Sequence, residues 1–240
     1  ERTRHEMGFL ADKQPAEMPM NTDGRNLGFG LKADLALSAR DSLRLGTDFQ
    51  RFRLDDWWPP VEGSAMMGPG TFENINDGRR DRIGVFAEWE ARWDSRWSGL
   101  LGARYDRVGM NTGNVRPYAT TGMMQANDIA AANAFNARDH RRTDNNVDVT
   151  VLGRYAPDAQ STIEAGYARK TRSPNLYERY AWGRGGMAMR MNGWFGDGNG
   201  YVGDLDLRKE VADTVSATIS RHDATRGDRL ISLTPYYTRV

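Results

Sequence analysis

The most constraining feature of the sequence is a strict alternation of apolar and polar residues within residues 80–107. A period of two is typical of a β-strand, because successive side chains point to opposite faces. The pattern predicts one strand, a short turn at residues 94–96 and a second strand, with one face apolar and the other mostly charged. The apolar series is Ile83, Val85, Ala87, Trp89, Ala91, Trp93, Trp97, Gly99, Leu101, Ala103 and Tyr105.

The arms of this hairpin are longer than most strands of soluble proteins, which are usually about 5–6 residues. A membrane-spanning β-strand needs roughly 9–11 residues, an apolar outer face, a polar inner face and aromatic residues where the bilayer meets water. Tryptophans occupy the closed end of this hairpin. The hairpin therefore favours a transmembrane β-barrel over a soluble β-sandwich.

Composition excludes several other classes. The 33 basic and 32 acidic residues nearly cancel, so net charge gives no support to nucleic-acid binding. The sequence has no apolar run of roughly 18 residues, which excludes a transmembrane helix but not a barrel. It has no cysteine, which excludes a disulfide framework and a thiolate metal site in this stretch. No nucleophile–base pair, phosphate-binding loop or dinucleotide fingerprint is present, so we do not expect an enzyme.

The same alternation recurs along the chain and predicts an all-β antiparallel meander of about eight long strands. A first strand is expected within residues 1–10 and a loop at 11–23. Further strands are expected at residues 25–38, 42–53, 147–155, around 163–170 and in a last hairpin with its turn at 221–228. Long irregular stretches are expected at residues 55–78, 111–145 and 173–209, with a short helix at 127–137.

Short and long connections alternate in this scheme, as in outer-membrane barrels, where short turns face the periplasm and long loops face outside. Unpaired strand edges are costly inside a bilayer, so we expect the chain to be a piece of a longer protein that supplies the remaining strands. The polar face predicts a charged lumen wall. Its residues are Lys32, Asp34, Arg44, Asp48, Arg82, Glu88, Glu90, Arg104, Asp106, Arg154, Glu164 and Lys170.

Two motifs resemble the barrel of TonB-dependent outer-membrane receptors. Residues 170–180, KTRSPNLYERY, are similar to a run that leads from a strand into a large external loop, and residues 203–215, GDLDLRKEVADTV, to the start of the next strand. Arg208-Lys209 and Asp213-Thr214 depart from the usual residues. The resemblance implies a bacterial outer-membrane location and a 22-stranded barrel plugged by an N-terminal domain and driven by the TonB complex. Residues 1–240 are then expected to be part of that barrel domain, without the plug or the terminal strands.

The substrate hint lies in methionine and histidine. The eleven methionines are absent from the middle of the predicted strands, and thioether and imidazole groups suit copper. His5-Glu6-Met7, followed by Glu17-Met18-Pro19-Met20, resembles a stretch of the copper-receptor branch of the family. The resemblance implies that His5 and Met7 are the barrel-side copper ligands, completed by a cysteine and a methionine of the plug. Copper is then a transported ligand, and no cofactor is expected.

Secondary metal or substrate contacts are expected at Met18, Met20, Met187, Met189, Met191, Trp182 and Trp194. For the methionines at 187–191, packing of a loop strand on the two tryptophans is slightly favoured over a copper relay. His140 and His222 are expected to be solvated, and Glu88 and Glu90 to belong to the lumen wall rather than to an acid–base pair. Trp57-Trp58 fits a ligand platform or loop packing.

Three functions remain open from the sequence. The first is TonB-dependent uptake of copper. The second is uptake of a siderophore or other metal chelate through aromatic loops with Trp57, Trp58, Trp182, Trp194 and Tyr201. The third is a soluble β-rich binding or adhesion domain. The expected partners are the TonB complex, outer-membrane lipid and copper or a chelate, and not nucleic acid.

Overall fold

The computed structural model describes residues 1–7, 19–193, 199–222 and 229–240, and these form one antiparallel meander. The sheet follows chain order from β1 to β8, and both β9 and β10 pair with β8. The strands are β1 Arg2–Met7, β2 Met20–Ala36, β3 Asp41–Trp58, β4 Phe72–Arg92, β5 Trp97–Asn111, β6 Arg142–Tyr155, β7 Ser161–Arg172, β8 Glu210–His222, β9 Leu230–Leu233 and β10 Tyr236–Arg239. The predicted all-β meander is confirmed. Among the described residues, no helix is long and apolar enough to cross a membrane.

The connections alternate in length as predicted. Short turns join β2 to β3 at residues 37–40, β4 to β5 at 93–96 and β6 to β7 at 156–160. Long connections span residues 59–71, 112–141 and 173–209 at the other end of the sheet. We call these two ends the turn end and the loop end. The loops contain a short 3-10 helix, Met123–Gln125, and the helices α1 Ala126–Asn136, α2 Leu176–Tyr180 and α3 Gly186–Met191. The predicted helix at 127–137 matches α1 to within one residue.

The strands extend further at the loop end than the sequence pattern predicted. Residues 20–23, 55–58 and 72–78 were expected to be loop, but they are hydrogen-bonded strand. Register shifts on either side of Asp56 mark bulges in β4, which has extra residues opposite this part of β3. The prediction was wrong there because apolar–polar alternation identifies only the part of a strand whose outer face is apolar. The backbone hydrogen bonds between strands continue beyond that part.

The two faces of the sheet differ as predicted. The face that we call outer carries an exposed apolar band, with Leu27, Phe29 and Leu31 exposed to 64%, 68% and 69%. The inner face carries ion pairs across the strands: Arg44 bonds Asp34 and Glu88, and Arg104 bonds Asp48 at 2.7 Å. A sheet with an exposed apolar face and a charged inner face fits a barrel wall between lipid and a polar lumen.

The buried core lies on the inner face at the loop end, where the long connections fold back over the sheet. Trp58 of β3 stacks on Phe72 of β4 at 4.3 Å between ring centroids, and Phe72 stacks on Trp182 at 4.6 Å. Leu176 and Tyr180 of α2 are fully or almost fully buried in the same cluster. This packing fixes the loops against the upper parts of β3 and β4. We call it the loop core.

Candidate functional site

The hairpin of β1 and β2 brings three of the predicted ligands together. His5 and Met7 are two residues apart in β1, so their side chains lie on the same face of the strand. Met7 pairs directly with Met20 of β2, and His5 pairs with Thr22. Side chains that face each other across antiparallel strands have Cβ atoms about 4.5–5.5 Å apart. The thioethers of Met7 and Met20 therefore lie opposite each other, and the His5 imidazole lies two residues along the same face of β1.

This donor group lies on the inner face at the loop end. The outer row of β2 runs through Arg25, Leu27 and Phe29, so Met20 and Thr22 belong to the opposite face by the alternation of the strand. Met20 packs against the loop core, whereas His5 is exposed and Met7 is 41% exposed. The donors thus border the lumen and remain accessible from it. Within the described ranges, no three His, Cys, Asp or Glu side chains form a group that could hold a metal ion.

A buried polar network supports the strand opposite His5. The Tyr177 hydroxyl of α2 is hydrogen-bonded to both Thr22 and Asp56. Asp56 also accepts hydrogen bonds from Trp58 Nε1 at 2.8 Å and from Asn74 Nδ2 at 3.3 Å. Asn74 donates in turn to Asn192, the residue after α3, at 2.9 Å. The network therefore joins β2, β3, β4, α2 and the end of α3 directly behind the candidate site.

The electrostatics of this network are set by burial. Asp56 lies beyond Arg51 and Arg53 of β3, outside the apolar band, and it is completely buried. Burial raises the pKa of Asp56 to about 6, against the three hydrogen bonds that favour its ionised form. Burial also raises the pKa of Tyr177, with a further contribution from the Asp56 carboxylate. Tyr177 therefore remains a neutral hydrogen-bond donor at physiological pH.

The other predicted contacts are not at this site. Met187, Met189 and Met191 lie in helix α3, so the expectation of a loop strand is wrong. The helix places Met187 and Met191 on one face, where both pack against the loop core. Trp182 is buried, and its Nε1 donates to the Glu73 carbonyl at 2.9 Å. Met18 and Trp194 lie outside the described residues.

One further expectation needs correction. His140 is not solvated, because it is buried and its ring nitrogens contact the carbonyls of Thr112 and Phe135 at 3.1 and 2.9 Å. Trp58 is fully buried in the loop core, which fits the loop-packing alternative rather than a ligand platform, and Trp57 is half-buried. Met110 is the penultimate residue of β5, where its Sδ contacts Arg179 Nη1 at 3.3 Å, and so it lies outside the middle of the strand. His222 is exposed, as expected.

The motif at residues 170–180 has a clear structural role. Arg172 at the end of β7 contacts both Glu178 of α2 and Glu210 at the start of β8. Asn175 caps α2: its Oδ1 accepts from the Glu178 N–H at 2.8 Å, and Glu178 Oε2 accepts from the Asn175 N–H at 2.7 Å. The motif therefore folds the loop into a helix that delivers Tyr177 to Thr22 and Asp56.

Sequence reasoning missed Thr22, Asp56 and Tyr177 as parts of the site. Tyr177 belongs to a recognised motif, but nothing in the sequence indicated that its hydroxyl reaches β2 and β3. Asp56 fell in a stretch expected to be loop. Only the pairing of the extended strands reveals that these residues lie beside the hairpin carrying His5 and Met7.

Residues 3–240 match a family model described as TonB dependent receptor-like, beta-barrel. No match is found among curated protein sequences. A solved structure described as copper transporter OprC is similar to this chain, with TM-score 0.64 and 18% identity over 93% of this chain and 32% of that one. A double mutant of the Serratia marcescens hemophore receptor HasR, in complex with its hemophore HasA and heme, is similar with TM-score 0.60 and 14% identity over 92% of this chain and 34% of that one. The chain thus spans about a third of each.

Proposed function

Because the chain belongs to the TonB-dependent receptor β-barrel family, we propose that it is part of a bacterial outer-membrane receptor that takes up copper in a TonB-dependent way. The family consists of transport receptors rather than enzymes. Residues 1–240 form part of the barrel domain in this proposal, and the plug and the terminal strands are supplied by the rest of the protein. The exposed apolar band of the outer face disfavours the alternative of a soluble binding or adhesion domain.

The observation that carries the copper assignment is the convergence of His5, Met7 and Met20 on the inner face of the β1–β2 hairpin. Thioether sulfur is a soft ligand that favours Cu(I), and imidazole also suits copper. A similar fold is found in a structure described as a copper transporter, which supports the same substrate.

The site suggests how copper would be captured and passed on. His5 and Met7 bind the ion at the loop-end rim of the lumen, and Met20 offers a third soft donor from the neighbouring strand. Ligands on the plug complete the coordination. When the energised plug rearranges, the number of ligands falls and the ion is released inward. The network of Asp56, Tyr177 and Thr22 holds β2 in place while this happens.

Copper analysis of the full-length receptor tests this proposal. The protein is purified in detergent, loaded with Cu(I) under reducing conditions, washed and analysed for bound metal. We expect about one tightly bound copper per chain. Met7→Ala and His5→Ala should lose that copper, and Met20→Leu should weaken its binding while keeping an apolar side chain.

Met123→Ala is the matched control, because Met123 is 95% exposed on the connection between β5 and β6. This variant should retain its copper. Unchanged copper affinity in both Met7→Ala and His5→Ala would refute the assignment of these ligands. A requirement for detergent without any copper binding would retain the receptor and reject copper as its substrate.

A second candidate function is uptake of a metal chelate, and one observation favours it. A cavity of about 370 Å³ lies among the loops, and its lining includes Phe135, Trp182, the three arginines 138, 179 and 184, and the single carboxylate Asp204. Aromatic surfaces beside guanidinium groups suit an anionic organic ligand. This cavity replaces the aromatic platform expected from the sequence, because Trp58 and Trp182 are buried. Uptake of chelated copper that survives His5→Ala and Met7→Ala but fails in Arg184→Ala would favour this candidate.

A further inference from the structure

The outer face carries a row of arginines directly above the apolar band. Arg2, Arg25, Arg53 and Arg79 are paired in register across four successive strands, β1 to β4. Arg51 and Arg107 lie two and four residue pairs closer to the turn end on the same face, level with Leu27 and Ile83. We call these six residues the arginine rim.

This arrangement is unfavourable for the sheet alone. Like charges directly opposite each other on adjacent strands are destabilising. Neighbouring strands are about 4.8 Å apart, so three consecutive like-charge pairs are held at close range. Such a row requires negative charge close to it.

Carboxylates of the chain neutralise the rim only in part. Asp23 pairs with Arg2 at 2.6 Å and with Arg25 at 3.5 Å, and Asp81 pairs with Arg53 at 2.7 Å and with Arg51 at 4.0 Å. Asp77 pairs with Arg79. Asp55, also on the outer face, instead accepts the Asp77 backbone N–H at 2.8 Å. No ion pair of Arg107 is found among the described residues. In all, the six guanidinium groups of the rim are accompanied by four carboxylates, those of Asp23, Asp55, Asp77 and Asp81.

Most of the guanidinium groups reach outward, but of the paired carboxylates only Asp23 is covered, since Asp77 and Asp81 are exposed to 56% and 40%. The Arg25 side chain is 63% exposed, whereas that of Asp23, which it shares with Arg2, is 14% exposed. Arg2, Arg51 and Arg79 are exposed to a similar extent as Arg25. Because six arginines stand against four carboxylates, the surface that a neighbouring molecule would meet at this level carries a net positive charge.

The two ends of the apolar band differ in this respect. At the turn end the outer face carries aromatic residues, including Trp89, Trp93, Trp97 and Tyr155, with Trp97 and Tyr155 in contact at 4.5 Å between ring centroids. Aromatic residues suit any membrane–water interface, whatever its charge. A row of arginines instead suits an interface rich in phosphate, because the guanidinium group binds phosphate oxygens in a bidentate way.

From this charge complementarity and asymmetry we propose that the arginine rim binds the phosphate groups of anionic lipid in the leaflet surrounding the loop end of the barrel. This inference rests on the membrane location in the proposed function, and it is independent of the copper site. The occupant is a phospholipid or glycolipid whose acyl chains cover Leu27, Phe29 and Leu31. Its phosphates meet the row of Arg2, Arg25, Arg53 and Arg79, which lies two residue pairs beyond Leu27.

Lipid binding by the full-length receptor in non-ionic detergent tests the proposal. The probes are diphosphorylated lipid A and the zwitterionic dioleoylphosphatidylcholine, and bound lipid is counted by native mass spectrometry during a titration. We expect lipid A to bind more tightly than the zwitterionic lipid. Arg25→Gln combined with Arg51→Gln should weaken lipid A binding by roughly fivefold per arginine removed. These two arginines have the longest ion pairs of the rim, so their replacement disturbs the fold least.

Arg96→Gln, in the exposed turn at the opposite end, is the matched control and should bind lipid A like the parent. Arg25→Lys combined with Arg51→Lys should retain most of the affinity, because the charge remains. Equal lipid A affinity in the Gln double variant and the parent would overturn the proposal. Competition by inorganic phosphate at matched concentration would also overturn it, because the occupant would then be a free anion.

The copper content of the same preparations separates this inference from the proposed function. If the parent retains copper and the rim substitutions leave the affinity for lipid A unchanged, only the lipid proposal is refuted. Loss of copper from the parent with lipid binding intact would refute only the copper assignment. A full-length protein that is soluble without detergent would overturn both the membrane location and the lipid partner.

Discussion

At the scale of single residues, Asp56 departs most from the ordinary chemistry of its side chain. It is completely buried, and three donors converge on it from Trp58, Asn74 and Tyr177. Hydrogen bonds to the carboxylate favour its ionised form, but the cost of desolvation is larger and raises the pKa from 3.8 to about 6. This single carboxyl group thus makes the packing of the loops sensitive to pH.

The sign of that dependence follows from the direction of the shift. The folded state holds the Asp56 proton more tightly than the unfolded state, so the favourable contribution is complete below pH 4 and is lost as the pH rises through about 6. The shift corresponds to on the order of 3 kcal/mol. We expect the free energy of local opening of α2 and the end of β3 to fall by this order between pH 4 and 7.5, measured by hydrogen exchange corrected for intrinsic rates.

Asp56→Asn should remove this pH dependence, because an amide mimics the protonated carboxyl group at every pH. Asp55→Asn, which changes the exposed neighbour on the opposite face, should keep the profile of the parent. An unchanged profile in Asp56→Asn would mean that another group is responsible.

At the scale of elements, the helix α2 is too short to be stable by itself and is stabilised by its contacts. Isolated helices of five residues are unstable in water, so α2 depends on its cap and on burial of Leu176 and Tyr180. The capping box of Asn175 and Glu178, and the contacts of Arg172 with Glu178 and Glu210, fix its start against β7 and β8. The helix in turn positions Tyr177 beside the candidate site.

Asn175→Ala should therefore destabilise α2 locally by about 1 kcal/mol, the usual cost of losing an N-cap. Hydrogen exchange of the amides of residues 177–180 is the measurement, and faster exchange is the expected result. Asn175→Ser keeps a capping oxygen and should behave almost like the parent. Equal exchange in the Ala and Ser variants would show that burial alone holds the helix.

At the scale of the whole molecule, the alternation of faces determines where the chain can reside. The outer face presents an exposed apolar band between the arginine rim and the tryptophans of the turn end, while the inner face pairs its charges across strands. Water would leave the band unfavourably exposed, whereas lipid would cover it. A polar or charged side chain is therefore expected to lower the stability on the outer face and to be tolerated on the inner face.

Leu31→Arg tests this asymmetry. Leu31 lies in the middle of the outer band, so an arginine there should cost about 2–4 kcal/mol of unfolding free energy in lipid vesicles. Lys32→Gln changes the next residue, which faces the lumen, and should alter stability by no more than about 0.5 kcal/mol. The measurement is equilibrium unfolding of the full-length protein in vesicles. A similar cost for both substitutions would contradict the assignment of the faces.

Much of the fold was accessible from the sequence because lipid-facing strands obey a simple period. Residues such as Ile83, Val85 and Trp89 alternate with charged neighbours, and this pattern predicted the meander, its turn end and its loop end. The motif at 170–180 carried the family resemblance for a local reason, since Arg172, Asn175 and Glu178 contact one another within seven residues. The placement of His5 and Met7 on one face was likewise a local property, because residues two apart in a strand point to the same side.

The remaining features depended on contacts between residues distant in sequence, which only the tertiary structure decided. Met20 joined His5 and Met7 through the register of β1 on β2, and Asp56 acquired its raised pKa from burial beneath α2. His140 was expected to be solvated and is buried, and the choice between a ligand platform and loop packing for Trp58 was decided by loops that fold over the inner face. Alternation along one strand determines which side faces lipid, but the burial and partners of a loop residue are set by whichever distant segment packs against it.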